Sequence, residues 1–186
     1  MSAQNDTHPL EPGGLHARIV ENVPHVAPET DLQAMATMLS IFSVFYRILQ
    51  DFETTVHRPS GLTWASFRVL FAIQHAGPLT PRELAVLFSV SQASISSVLN
   101  TLERDGLVNR GKSAQDGRKV VVSLTPLGER TATELFRRQH AREVAWSKAL
   151  TARERDTFER LLAKLMRYEP APPAEPASRL EGLPTP

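Results

Sequence analysis

The stretch Leu79 to Arg110, LTPRELAVLFSVSQASISSVLNTLERDGLVNR, decides how the rest of the chain is read. Its first half carries the signals of a short helix. Thr80 is an N-cap residue, Pro81 suits a first turn that needs no backbone donor, and Glu83 follows Thr80 at capping-box spacing. Leu84, Leu87 and Phe88 are expected on its buried side. A tight Ser-Val-Ser turn leads into a second helix, opened by Ser91 and closed by Gly106. On a helical wheel Ile95, Val98, Leu99 and Leu102 fall together, which predicts a packed face. Ala93, Ser97, Asn100 and Arg104 lie opposite, with Ser96 to one side and Ser94 and Thr101 to the other. No Lys or Arg precedes Arg104 in this helix.

Such a face, built of short hydrogen-bonding groups, lets a helix backbone approach a partner surface closely. The major groove of B-DNA admits one helix and offers donors, acceptors and the thymine methyl at its edges. Asn100 has the geometry to pair bidentately with adenine, Ala93 to touch a thymine methyl, and Ser94, Ser96 and Ser97 to reach bases or phosphates. Free N–H groups near Ser91 and Gln92 suit a phosphate. A serine-rich face taken alone is more often a solvated surface, so its neighbours carry the distinction.

Those neighbours are informative. Leu107–Asn109 and Lys119–Leu124 are β-branched runs joined by RGKSAQDGR, which predicts a hairpin. At its tip, Asp116-Gly117 sets a turn beside Arg118 and Lys119. An arginine on a β-ribbon suits a narrow minor groove, with Asp116 orienting it from behind. Upstream, Thr63 caps a helix bearing Trp64, Phe67, Leu70, Phe71 and Gln74 that stops at Gly77. Before it, from Asp31, Met35, Met38, Leu39, Phe42, Phe45, Leu49 and Phe52 recur at steps of three and four, and Ile41, Val44 and Ile48 widen the stripe. A helix apolar on more than one side touches two bodies, the second plausibly another copy of the chain. That helix is expected to end near Pro59-Ser60-Gly61. Downstream, Thr125-Pro126 opens a long helix to about Leu150, and Thr151 with Glu154 opens a last one to about Tyr168.

Composition sets bounds. At 186 residues the chain fits one domain with arms. Hydrophobic residues at 41% and charged residues at 22% are those of globular proteins. With no cysteine there is neither disulfide nor thiolate chemistry, and a cytoplasmic location is expected. Seven acidic and two basic side chains leave residues 1–56 at −5 and the remainder at +6, so the basic surface lies in the later part. The apolar run Met35–Leu49 is interrupted by Thr37, Ser40, Ser43 and Arg47 and falls short of about 20 residues, so no membrane span is expected. Prolines in residues 1–30 and 169–186 mark a flexible N-terminal arm and a Pro-rich tail, with at most a short turn of helix at Leu15–Glu21.

The whole run from Leu79 to Arg130 resembles the winged helix-turn-helix of the MarR family of transcriptional regulators. Ser91–Gly106 resembles the recognition helix, Asp116 and Arg118 match the Asp-x-Arg wing signature, and SLTPLGE matches the exit into a dimerisation helix. GLTWASFRVLFAI and ALTARERDTFERLLAKL resemble flanking helices, so the resemblance covers about residues 31–168. It implies a mainly α fold with a small β-hairpin wing, the head at 62–125 and dimerisation helices at 31–58 and 126–168. It also implies a triangular homodimer reading a pseudo-palindrome on double-stranded DNA, its half-sites about 10 bp apart. Most members are repressors, and many respond to a small aromatic or anionic effector. Ser97 departs from the family, standing where many members have Arg. That shifts the load to Arg82, Arg110, Lys112, Arg118 and Lys119 and predicts a modest salt dependence. The DNA-contacting set expected is then Thr80, Arg82, Ser91, Gln92, Ala93, Ser94, Ser96, Ser97, Asn100, Arg104, Arg110, Lys112, Asp116, Arg118 and Lys119.

If the family's effector cleft is present, it would involve Phe45, Tyr46, His57, Arg58, Trp64, Phe67 or Arg68. Phe45, Trp64 and Phe67 fit a core better than a pocket, and His57-Arg58 better fits a helix C-terminus complementing the dipole. The urate-responsive branch has an acid where Arg68 stands, and the peroxide-sensing branch needs a cysteine. No histidine pair has i, i+4 spacing and no catalytic motif is present, so no metal, cofactor or enzymatic activity is expected. Two other uses of the fold compete with sequence-specific regulation: a protein-binding adaptor, and a non-specific architectural DNA binder.

Overall fold

The computed structural model describes residues 14–112, 117 and 119–172. Seven helices and one hairpin are present among them. The chain divides into two compact units, the first ending at Val144 and the second beginning at Ala145.

In the first unit, α1 (Gly14–Val26) packs on α2 (Leu32–Phe52). The helix α1 is longer than the turn expected at Leu15–Glu21 and occupies much of the predicted arm. Pro24 lies inside it, so one backbone bond is forfeited without ending the helix. Asp31 caps α2 by accepting from the Ala34 N–H at 2.9 Å. The helix does not stop at Phe52. It continues through a π-helical turn at Glu53–His57 and a 3₁₀ turn at Arg58–Ser60, and ends at Gly61, whose φ of 75° lies in the left-handed region. The continuous helical run Leu32–Ser60 has 29 residues and is long and apolar enough by composition to cross a membrane. It therefore exceeds the Met35–Leu49 run on which the sequence reading rested.

The core gathers around α3 (Trp64–Ala76), α4 (Pro81–Phe88) and α5 (Gln92–Arg104). Leu70, Leu84, Leu99 and Leu102 are completely buried there. Behind them, β1 (Val108–Lys112) pairs antiparallel with β2 (Val120–Leu124), with Val108 opposite Leu124 and Arg110 opposite Val122. The first strand runs three residues further than Asn109, where it was expected to end. Leu79 bridges to Val122 through two backbone hydrogen bonds of 3.1 and 2.8 Å, which ties the start of α4 to the hairpin.

The helix α6 (Pro126–Ser147) buries Gly128, Ala132, Leu135 and Gln139, a stripe at steps of four, three and four. Gly128 allows the closest approach: a Cβ there would run into the Leu107 carbonyl. Two polar contacts fix α6 against the other helices of this unit. Gln74 donates to Thr133 Oγ1 at 2.8 Å, and Arg142 forms a two-pronged pair with Asp51 at 2.9 and 3.0 Å.

The second unit contains α7 (Ala152–Met166), opened by a Thr151–Glu154 capping box. The box holds the Glu154 carboxyl below its ordinary value, because the Thr151 backbone N–H and hydroxyl both donate to it. Arg155 donates to the carbonyls of Ser147 and Leu150 and so closes the turn before α7. Phe158, Leu161, Leu165 and Met166 are all exposed on this helix.

Candidate nucleic-acid interface

The pair α4 and α5 is built from local signals. Thr80 Oγ1 accepts from the Glu83 N–H, and the Glu83 carboxylate accepts from the Thr80 N–H at 2.7 Å and hydroxyl at 2.8 Å. These bonds, backbone first, hold the Glu83 carboxyl below its usual range, and the Lys119 charge adds to the effect. At the far end Ser89 takes φ 53°, ψ 45°, a left-handed conformation uncommon for a residue with a Cβ. That strained corner reverses the chain. Ser91 then caps α5, its hydroxyl accepting from the Ser94 N–H at 3.1 Å. The axes of α4 and α5 turn through 117°, within the range of helix-turn-helix motifs.

The face of α5 is as bare as its sequence implies. Ile95 and Leu99 are buried, while Gln92, Ala93, Ser94, Ser96, Ser97, Asn100 and Arg104 are exposed. Val98, expected in the core, is half-buried against its edge. Not every exposed group is available, however. The Ser91 and Ser94 hydroxyls bond each other at 2.8 Å, and Arg104 pairs with the adjacent Asp105 at 3.0 Å. Arg110, on β1, donates to Asn100 Oδ1 at 2.7 Å and lies 3.5 Å from the Glu103 carboxylate. Pairing Asn100 bidentately with adenine therefore asks the same oxygen to accept a second bond beside the guanidinium. The side chains of Gln92, Ser96 and Ser97 have no hydrogen-bond partner among the described residues.

The cations are unevenly placed. Arg82 is exposed on α4, and Lys112 and Lys119 are exposed at the two sides of the hairpin. Asp116 and Arg118 lie outside the described residues.

Three of the seven expected effector residues come together in one cavity. Trp64, Phe67 and Arg68 line a cavity of about 590 Å³, joined by Phe71, Phe88, Phe136 and Gln139, which the sequence reading did not assign to it. Phe45 and Tyr46 are instead exposed on α2, at 53% and 65%, so Phe45 is not a core residue of a single chain. Arg58 is exposed in the 3₁₀ turn. His57 does lie in the last turn of the helical run that Gly61 ends, as expected, but its ring is buried. The π-helical turn carries it fully inside, its ring stacked 5.2 Å from Phe67 and tilted against Trp64 at 5.6 Å. Neither of its nitrogens has a hydrogen-bond partner, and burial lowers its pKa from the ordinary histidine value against the opposing charge of Glu53. The Arg68 guanidinium lies 4.1 Å above the Phe88 ring, partly desolvated, and its pKa is lowered accordingly. Phe71 and Phe136, stacked at 5.3 Å, were legible as apolar helical positions. Gln139 was not, since a glutamine in a charged helix has no pattern that marks it as buried.

Leu87 also departs from expectation. It is 57% exposed, because the eight-residue α4 buries only Leu84 and Ala85 fully and leaves Leu87 at the rim of the cavity.

A tightly turned helix pair with an antiparallel hairpin behind it is a winged helix-turn-helix, a DNA-binding architecture. Residues 60–119 match the model of the MarR family. Over 109 residues the chain is 34% identical to the multiple antibiotic resistance protein MarR of Salmonella typhimurium, covering 58% of this chain and 76% of that protein. It is 27% identical over 137 residues to the transcriptional repressor YetL of Bacillus subtilis, covering 73% and 81%. A crystal structure of a mutant MarR from E. coli complexed with operator DNA superposes with a TM-score of 0.60 at 28% identity, covering 77% of this chain and 97% of that one. The chain belongs to the MarR family: it is a DNA-binding transcriptional regulator and not an enzyme.

Proposed function

We propose that the protein is a repressor that acts in the cytoplasm and binds a pseudo-palindromic site on double-stranded DNA as a homodimer. The observation that carries this reading is the open, uncharged face of α5 at the end of a 117° helix-turn-helix. Gln92, Ser96 and Ser97 are the groups with unspent hydrogen-bonding capacity, and a helix studded with them fits a groove without long side chains holding it off. Arg82, Lys112, Arg118 and Lys119 grip the flanking phosphates or the minor groove. Arg104 and Arg110 are already paired with acids, which supports a modest salt dependence.

Dimerisation is supported by the apolar groups that a single chain leaves in water. Phe42, Val44 and Phe45 on α2 and Phe158, Leu161 and Met166 on α7 are all more than 40% exposed. Residues 31–58 and 126–168 are the dimerisation helices of this reading and residues 62–125 its head. The cavity beside Arg68 is the effector site, its Phe71 and Phe136 walls suited to an aromatic ring and Arg68 to an anionic substituent.

Fluorescence anisotropy on labelled duplex tests the reading. The full-length protein binds DNA from its own neighbouring intergenic region in the presence of random competitor, and Arg118→Ala weakens this by about 1–3 kcal/mol per head without dissociating the dimer. Equal affinity for random duplex would make it a non-specific architectural binder. No affinity for any duplex would make it an adaptor for protein.

A further inference from the structure

We infer that Arg110 is a positioning residue for base recognition: by holding the Asn100 amide oxygen, it makes Asn100 a reader of guanine rather than adenine. The inference rests on the reading of α5 as the base-contacting helix and adds which base one of its side chains selects. A guanidinium only donates, so the amide atom 2.7 Å from Arg110 Nη2 is the oxygen, and Nδ2 is turned to the other side. Arg110 cannot swing away freely. Its Nη1 lies 3.5 Å from Glu103 Oε2, and its stem rises from β1, where the residue is paired with Val122. The fork thus anchors one acid and one amide of α5 from the strand behind.

The consequence is chemical. Bidentate recognition of adenine needs an asparagine to accept from N6–H with its oxygen and donate to N7 with its nitrogen. Here one lone pair of the oxygen is held in a charge-assisted bond and the guanidinium beside it disfavours the approach of a second donor, whereas Nδ2, without a partner among the described residues, has both its donors free. Guanine shows two adjacent acceptors, N7 and O6, at its major-groove edge and satisfies those donors. Adenine would present its N6–H₂ donor to the Asn100 donors, and cytosine its N4–H₂ group.

Binding-site selection with the full-length chain, followed by anisotropy on the selected duplex and on its guanine-to-adenine variant, tests this. The wild type prefers guanine over adenine at one position of each half-site by roughly 10-fold, the scale of one base contact. Arg110→Met keeps the aliphatic stem but frees the amide, and the ratio inverts toward adenine. Arg110→Lys still donates to Oδ1 and retains guanine. Asn100→Ala removes the preference, and adding Arg110→Met to it changes nothing further in the ratio. Losing a positive charge weakens all sequences alike, so the ratio isolates positioning from phosphate contact. An unchanged ratio in Arg110→Met, or a wild-type preference for adenine, overturns the inference while leaving DNA reading by α5 intact. A wild-type chain that selects no motif overturns both.

Discussion

The winged head and the long helices flanking it treat apolar side chains in opposite ways. Leu70, Leu84, Leu99, Leu102 and Val122 in the head are at 0% exposure, and each helix there begins at a residue whose side chain accepts from the first turn. On α2, Phe42 is 57% exposed and Phe45 53%, and on α7 Met166 is 81% exposed. The head is finished by one chain, and the flanking helices are not. Burying a phenylalanine stabilises by about 1.5–3 kcal/mol, so a helix that spends several on water is shaped for a second surface. Under the proposed function the difference separates two roles as well, with changes in the head expected to act on DNA and changes in the flanks on assembly.

The sharpest break of that comparison is electrostatic. Phe42→Asp with Phe45→Asp places charges where the proposed interface needs apolar contact, and sedimentation should show the dimer dissociation constant raised by at least ~100-fold, with the head still folded. A dimer of unaltered strength would move the interface elsewhere.

Where the first turn of α6 packs on the head, Gly128→Ala forces a methyl against the Leu107 carbonyl beside the start of β1. Overpacking of this kind costs about 1–3 kcal/mol, to be read as a lower urea midpoint. The same substitution leaves the self-association of the folded fraction unchanged.

A third test concerns pH. His57 has its folded pKa below 6.5, so the unfolded chain binds the extra proton first as pH falls. Stability is therefore fully present above about pH 6.5 and declines below it, with a slope of at most about 1.4 kcal/mol per pH unit from this group, until the folded state also protonates. His57→Phe, which preserves the stack with Trp64 and Phe67, should remove that component of the slope in urea melts taken between pH 7.5 and 5. An identical slope in the variant would assign the acid sensitivity to other groups.

The smallest effect expected is a gain. Ser89 is the one described non-glycine residue with positive φ, and Ser89→Gly relieves about 1 kcal/mol of strain at the helix-turn-helix corner, part of it returned as unfolded-state entropy. A higher melting temperature with unchanged DNA affinity is the expected result.

What the sequence made legible follows from the range of each interaction. Thr80 with Glu83, Ser91 with Ser94 and Thr151 with Glu154 are three residues apart, so their caps could be read directly, and the stripe Ile95, Leu99, Leu102 needed only helical periodicity. The bond between Asn100 and Arg110 spans a helix end, a glycine turn and the entry to a strand, and nothing periodic announces it. His57 was read as a helix terminus because Pro59 and Gly61 follow it. The π-helical turn that rotates it inward is stabilised by Trp64 and Phe67, contacts that only the folded chain provides. Prolines near the N-terminus suggested an arm, yet α1 forms over Gly14–Val26 against α2.

Under the proposed function a pair of α5 faces, uncharged up to Arg104, reads sequence in the major groove. Anisotropy titration of the wild-type chain on its selected duplex and on a shuffled duplex of equal composition, at one physiological salt concentration, tests it most directly. Two protomers per duplex and a preference of at least ~10³-fold for the selected sequence are predicted. Equal affinity for the two duplexes, or one protomer bound per site, would contradict it.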